Sequence, residues 1–398
     1  MKKEIGIYIH IPFCIKKCYY CDFISFSDKK EDEEKYFEKL KQEIISQKEI
    51  LEKSNITTIY IGGGTPSSTK SKNIAEIINT VKEIIVENNK NFKEIETTIE
   101  INPGTVTKEK LEEYYNIGIN RISIGVQCVQ DKLLKTIGRI HNYKEFLDTY
   151  LLARKIGFKN INIDLMIGLP TQTIEDIKES IEKILELKPE HISVYSLIVE
   201  ENTKMEKLIE NGELQLPDEE LERMEYNYVK NKLELAGYEH YEISNFAQKG
   251  YYSKHNFNCW KQKEYIGFGV SAHSYYENIR FSNTEKFSKY INASIEDFKA
   301  CNIPNLIKNI KEKDKIKIIE EIQQKEDKEK EYMLLGLRTL KGVSISEFKH
   351  KFGENPIYLF RKELEELINE NLVEIDLDDI RLTRKGLDLA NIAWEKFV

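Results

Sequence analysis

Three cysteines fall within eight positions, Cys14, Cys18 and Cys21, spaced C-x3-C-x2-C. Thiolates are soft ligands for iron and zinc, and a four-iron cluster normally takes four of them. Three from one loop leave one iron without a protein ligand, the open position that a catalytic metal site keeps. A zinc knuckle is the alternative. Zinc takes four ligands with paired x2–4 spacings, and no second Cys or His pair lies nearby. The spacing favours an iron–sulfur cluster. Further residues able to do chemistry follow apolar runs: Gly62-Gly63-Gly64-Thr65-Pro66, Glu100-Ile101-Asn102-Pro103, Gly125-Val126-Gln127 and Gly138-Arg139-Ile140-His141. Asp164 interrupts the apolar stretch Asn162–Ile167, where an unpaired carboxylate would be costly.

These groups need elements to hold them. Apolar runs at 5–9, 57–61, 96–101, 121–126, 160–167 and 191–197 read as strands. Helical patterns lie between them at 31–52, 73–87, 108–117, 131–137, 143–156 and 174–187. Six short strands alternating with helices imply a parallel sheet with right-handed crossovers. In such α/β folds functional groups collect at the carboxyl ends of the strands, where the motifs above sit. The pattern leaves an open doubly wound sheet and a partial barrel as alternatives.

Past residue 200 the alternation weakens. Helix signals cover 204–211 and 218–236, and the aromatic-, Gly- and Ser-rich stretch 238–276 reads as loop and short strand. A charged helical zone at 308–331 marks a boundary. Beyond it, helices at 344–352 and 357–369, a hairpin at 372–375 and 379–382, and a last helix at 385–397 suggest a small winged-helix-like α+β domain. The expected divisions are 1–200, 201–310 and 311–398. Winged helices can bind DNA, but Glu363, Glu365, Glu366 and Glu370 would face phosphates badly, so packing is the expected role.

The 398 residues carry 60 basic and 68 acidic side chains, a net charge of −8 that argues against a general nucleic-acid surface. No segment approaches the roughly 20 apolar residues of a membrane span, and the N-terminus lacks a signal-peptide apolar region. Cys128, Cys259 and Cys301 stand singly, unlike a secreted disulfide framework. A cytoplasmic location is expected.

Tyr8-Ile9-His10-Ile11-Pro12-Phe13-Cys14 and the cysteine loop resemble the radical S-adenosylmethionine (SAM) superfamily. The likeness is to the branch of the oxygen-independent coproporphyrinogen III dehydrogenase HemN and the haem chaperone HemW. The resemblance implies a partial (β/α)6, TIM-like barrel with a small C-terminal domain. It also implies a [4Fe-4S] cluster on Cys14, Cys18 and Cys21, and SAM on the fourth iron, where reduction yields a 5′-deoxyadenosyl radical. The implied SAM contacts are Gly63, Gly64 and Thr65 for the amino group, Glu100 for the ribose, Gln127 for the nucleoside, Arg139 for the carboxylate or ribose, and Asp164. Tyr8 and His10, two apart on one strand face, would position SAM beside the cluster, and Tyr20 would stack or pack against the cofactor. For His10 a satisfied core histidine is an equal alternative, and no catalytic residue is assigned. Cys128 stands where the family continues with Ser, and reads as a small buried thiol.

Within the branch, the dehydrogenase motif continues Cys-Gly-Cys where this chain has Cys21-Asp22-Phe23, and it carries a longer segment than the seven residues before Tyr8. Both features favour the chaperone side. His255-Asn256-Phe257-Asn258-Cys259-Trp260 resembles its His-Asn-x-x-Tyr-Trp motif, with His255 as haem ligand and Trp260 against the macrocycle. Cys259 replaces Tyr, read as a core swap in preference to a thiolate that could also ligate haem iron. The implied function is a haem chaperone that binds cluster, SAM and haem as cargo and passes haem to an acceptor. The alternative is a coproporphyrinogen III dehydrogenase or another radical SAM enzyme. Implied partners are haem, a haem acceptor such as one of the respiratory chain, and a reductant such as flavodoxin or ferredoxin. No nucleic acid is expected. Homodimerisation and peripheral membrane contact through a partner are left open.

Overall fold

The computed structural model describes residues 2–86, 91–300 and 316–398. Glu87, Cys301 and the charged run 311–315 lie outside them. Six parallel strands form the centre: β1 (Glu4–Ile11), β2 (Asn55–Gly63), β3 (Glu96–Ile101), β4 (Arg121–Gln127), β5 (Ile161–Ile167) and β6 (His191–Ser196). They lie side by side in chain order. A doubly wound sheet reverses direction at its first strand, whereas here every crossover steps the same way, the winding of a barrel. That decides between the two architectures left open by the pattern.

The strands alternate with a period of two. One face is nearly pure isoleucine: Ile5, Ile7, Ile9 and Ile11 on β1, Ile59 and Ile61 on β2, Ile122 and Ile124 on β4, all at most 1% exposed. This face packs under the helices and builds the main core. The other face carries Tyr8, His10, Tyr60, Glu100, Arg121, Ser123, Asn162, Asp164 and His191. The barrel therefore has an apolar jacket and a polar, hydrogen-bonded lumen.

The stretch 238–276 holds more order than expected. β7 (Glu239–Glu242) and β8 (Asn245–Ala247) extend the sheet beside β6, while β9 (Tyr265–Phe268) runs parallel to β1 on the other side. β10 (His273–Tyr276), β11 (Ile279–Asn283) and β12 (Lys317–Ile322) continue outward from β9. Three- and four-residue strands are too short to show a period. The expected helical zone at 308–331 contains β12, whose charged edge imitates a helix face; Lys317 is buried on Glu43. The expected helix 31–52 is interrupted at Gln47, between Glu33–Ser46 and Lys48–Lys53. The last helices break similarly, at Phe360 and Leu389.

Residues from Lys325 onward enclose a second core around Met333, Phe348, Leu364, Leu367 and Ala393. Short helices there pack on a three-stranded antiparallel sheet of Val343–Ser344, Asp379–Leu382 and Val373–Asp376. No helix among the described residues is long and apolar enough to cross a membrane.

Candidate functional site

The carboxyl ends of the strands open into a cavity of about 370 Å³. Cys14, Cys18 and Cys21 line it together with Tyr20, Gly63, Gly64, Thr65, Glu100, Gln127, Arg139 and Asp164. Eleven expected site residues, scattered over 151 positions of sequence, thus meet in one void.

The cysteine loop is tied down from several sides. Cys14 N–H donates to the Phe26 carbonyl at 3.0 Å, and Phe26 N–H to that of Pro12 at 2.7 Å. His10 is 5% exposed and engaged at both ring nitrogens. Its Nε2–H donates to the Ile24 carbonyl at 2.9 Å, which leaves Nδ1 to accept from Tyr8 Oη at 3.1 Å. Burial holds this imidazole down to about 4, so it stays neutral. Tyr8 and His10 thus sit behind the loop, outside the cavity lining.

The glycine tract has a packing cause. A Cβ on Gly63, at φ +110°, would lie 2.5 Å from the His10 ring, and one on Gly64 2.9 Å from the Phe13 carbonyl. Both amides are already used, Gly63 N–H by Glu100 and Gly64 N–H by the Ile11 carbonyl. Glycine here lets β2 close against the cysteine lead-in. Thr65 Oγ1 lies 3.5 Å from Cys14 Sγ and accepts from Asn102 Nδ2 at 2.9 Å.

Glu100 Oε1 accepts from Tyr60 Oη at 2.8 Å and Oε2 from Gly63 N–H at 3.2 Å. Burial pushes its carboxyl up to about 7, against the Tyr60 hydrogen bond and with help from the Asp164 charge. Asp164 also lies above its ordinary range through burial, although Asn162 Nδ2 at 2.7 Å and Ser123 Oγ at 3.0 Å donate to it. The carboxylate in the apolar run is therefore satisfied and still faces the cavity. Gln127 follows a β-bulge and holds φ +69°, an uncommon backbone for a side-chain-bearing residue that aims it across the strand ends.

Arg139 spans the site. Its Nη2 donates to Gly125 O at 2.6 Å and Asn102 Oδ1 at 2.7 Å, and Nη1 to Cys18 Sγ at 3.5 Å. Its Nε is buried without a partner. Burial raises the thiols of Cys14 and Cys21, the latter to about 11, so iron binding would have to release their protons. Among the described residues no three His, Cys, Asp or Glu side chains converge tightly enough for a single metal ion. Three thiols around one void, an orphaned guanidinium donor and two carboxylates fit a larger cluster beside a cationic nucleoside.

His255 and Trp260 are not part of this cavity. They lie on the helix Lys254–Trp260, under the amino ends of the strands. His255 is 7% exposed, its Nδ1 is 2.8 Å from Thr58 Oγ1, and its backbone N–H donates to Glu96 at 3.1 Å. Tyr60 stacks on it with ring centroids 5.2 Å apart. Burial and the Arg121 charge hold the imidazole down to about 4. The Arg338 guanidinium lies 4.3 Å from the Trp260 ring and 4.7 Å from that of Trp394, joining this helix to the C-terminal unit. Burial pushes Cys259 up to about 11, a neutral packed thiol, and Cys128 is fully buried. A cleft of about 1150 Å³ opens beside the helix, lined by Tyr252, Lys254, Phe257 and Asn258.

Tyr60 and Ser123 also line the cavity and Arg121 faces its carboxylates, three residues that the sequence motifs do not include. Tyr60 lies two positions from Gly62 and Ser123 two from Gly125, with Arg121 two further along the same strand face, so a period of two connects all three to those motifs.

The Radical SAM superfamily model matches residues 8–184, and the HemN C-terminal domain model matches residues 323–389. The chain is 36% identical to the heme chaperone HemW of Lactococcus lactis, covering 100% of this chain and 98% of that protein. It is also 36% identical to that of Bacillus subtilis over 98% of each. Among solved structures, coproporphyrinogen III oxidase HemN from Escherichia coli superposes with a TM-score of 0.80 at 21% identity, covering 100% of this chain and 90% of that one. This last likeness is one of fold.

Proposed function

Because the chain belongs to the HemW heme-chaperone family of the radical SAM superfamily, we propose that it binds a [4Fe-4S] cluster, SAM and haem and transfers haem to an acceptor protein. The carrying observation is the convergence of three cysteines, Glu100, Gln127, Arg139 and Asp164 on one cavity. Bound there, the cluster and SAM supply one-electron chemistry that side chains lack.

The chain's own residues bind and orient. Cys14, Cys18 and Cys21 are the iron ligands. Glu100 takes the ribose hydroxyls, its two oxygens already aimed by Tyr60 and Gly63. Gln127, Asp164, Thr65 and the Gly63-Gly64 backbone surround the rest of SAM, and Arg139 offers Nε to its carboxylate. Tyr20 packs beside the loop, and Tyr8 and His10 hold it from behind. His255 is the haem ligand through Nε2, because Thr58 already engages Nδ1, with Trp260 alongside. The protein works in the cytoplasm with a reductant of the flavodoxin or ferredoxin kind. Its acceptor is a haem protein, with the respiratory chain the expected source.

Anaerobic turnover tests the reading. Reconstituted protein, SAM, reductant and coproporphyrinogen III are incubated together, and protoporphyrinogen and 5′-deoxyadenosine are quantified. The expected outcome is no catalytic protoporphyrinogen, with stoichiometric haem binding in a separate Soret titration that His255→Ala weakens. Catalytic protoporphyrinogen would make the protein a dehydrogenase.

A further inference from the structure

One side chain touches both ends of the lumen. Tyr60 points inward from the middle of β2, where its hydroxyl donates to Glu100 at 2.8 Å and its ring lies against the His255 imidazole, centroids 5.2 Å apart at 29°. Tyr8 stacks on it at 6.3 Å, and a Cβ at neighbouring Gly62 would press on both Tyr60 and Glu100, at 2.9 Å from each. The ring is thus packed on several sides and cannot shift at its hydroxyl without shifting at its face. Glu100 has both oxygens occupied, by Tyr60 and by Gly63 N–H. A ribose diol arriving at that carboxylate must share these two oxygens with the donors already on them, and drawing Glu100 toward it weakens the Tyr60 hydrogen bond. At the other end, a macrocycle cannot reach an imidazole that is 7% exposed beneath its own helix, so His255 must first be freed.

We propose that Tyr60 is a positioning residue linking these events: a nucleoside seated on Glu100 displaces the Tyr60 hydroxyl, loosens the ring from His255 and raises the affinity of that end for haem. The inference rests on the reading above, in which Glu100 meets the nucleoside and His255 meets haem. Coupling between sites requires an element with two arrangements that both ligands bias, and it is reciprocal by linkage. Tyr60 with its hydroxyl on or off Glu100 is such an element. Arg121, buried in the same lumen with Nε unpartnered, is the cation facing Glu100, Asp164 and His255.

The test uses the full chain, reconstituted anaerobically, with S-adenosylhomocysteine as a nucleoside that is not cleaved by reduction. Haem is titrated by its Soret band with and without saturating nucleoside, in wild type, Tyr60→Phe and Glu100→Gln. The nucleoside is then titrated with and without haem. Wild type should bind haem about fivefold or more tightly with nucleoside present, with the same factor in the reciprocal titration. Tyr60→Phe, which keeps the ring and loses only the hydroxyl, should bring that factor to within about twofold of unity. Amide exchange in 254–260 should quicken with nucleoside in wild type and not in Tyr60→Phe. A factor near one in wild type, a decrease, or a rise that Tyr60→Phe leaves intact overturns the coupling while both ligands still bind. Haem binding unchanged in His255→Ala, or no nucleoside binding at all, overturns the underlying reading and the coupling with it.

Discussion

The two ends of the barrel are built on opposite terms. At the carboxyl ends, Glu100, Asp164 and Arg139 are each fixed by two or three hydrogen bonds and still border an open cavity of about 370 Å³. At the amino ends, His255 is sealed under its helix by Thr58, Glu96 and Tyr60, and Trp260 shares the Arg338 guanidinium with Trp394. The first end already presents its polar groups to an open cavity. The second is closed by its own side chains and must open. Binding at the first should therefore be limited by contacts, and binding at the second by the population of an open form.

The sharpest separation of the ends is Cys14→Ala. Iron and sulfide content and cluster absorbance after reconstitution should fall to background, because two remaining thiols do not hold a four-iron cluster. Haem titration of the same variant should stay within about twofold of wild type, since Cys14 belongs only to the upper cavity. Full cluster absorbance in this variant would remove the loop from the site.

Next in size is Glu100→Gln, which keeps the shape and removes the charge. Hydrogen bonds to a charged group are worth about 1.5–3 kcal/mol, so nucleoside affinity should drop roughly 10- to 100-fold. The ends also differ in their response to pH. Glu100 is pushed up to about 7, so the charged acceptor that the proposed ribose contact needs predominates only above that value. Nucleoside affinity should rise about tenfold between pH 6 and pH 8, and Glu100→Gln should flatten the profile. In stability the raised carboxyl acts the other way, favouring the fold at low pH and losing that contribution as pH climbs from about 4.5 to about 7. His255 is held at about 4, below its ordinary 6.5. Its contribution is complete above about pH 6.5 and is lost as pH falls through about 4. A nucleoside profile flat across pH 6–8 in wild type would mean that Glu100 does not meet the ribose.

The sequence made the upper end legible and the lower end only as a motif. The cysteine spacing and the strand-end groups identified eleven cavity residues, and the helices at 143–156 and 174–187 have those bounds in the structure. Their capping boxes, Asn142 with Glu145 and Thr173 with Asp176, make such boundaries readable. Tyr60 and Arg121 stayed hidden because in isoleucine-rich strands a polar residue at every second position looks like interruption, while folding gathers those positions into one lumen. The seven-residue helix at 254–260 is too short for a helical period. Its seat beneath Thr58, 197 positions away, is a product of tertiary packing. The charged strand at 317–322 misled for the same reason that Lys317 is buried: its partner Glu43 comes from a distant helix.

The smallest expected effect separates the ends by stability alone. Thr58 Oγ1 is buried and engages His255 Nδ1 at 2.8 Å, whereas Ser123 Oγ donates to Asp164 at 3.0 Å beside the cavity. Thr58→Val preserves volume and β-branching and deletes only the hydroxyl. It leaves the ring nitrogen of a buried imidazole without its partner and should cost about 1–2 kcal/mol in a denaturant melt. Ser123→Ala leaves Asp164 on Asn162 Nδ2 and facing the void, so it should cost about 0.5 kcal/mol or less. Equal costs for the two would mean that the amino end is as open to water as the carboxyl end, and the proposed haem contact of His255 would then need no prior release.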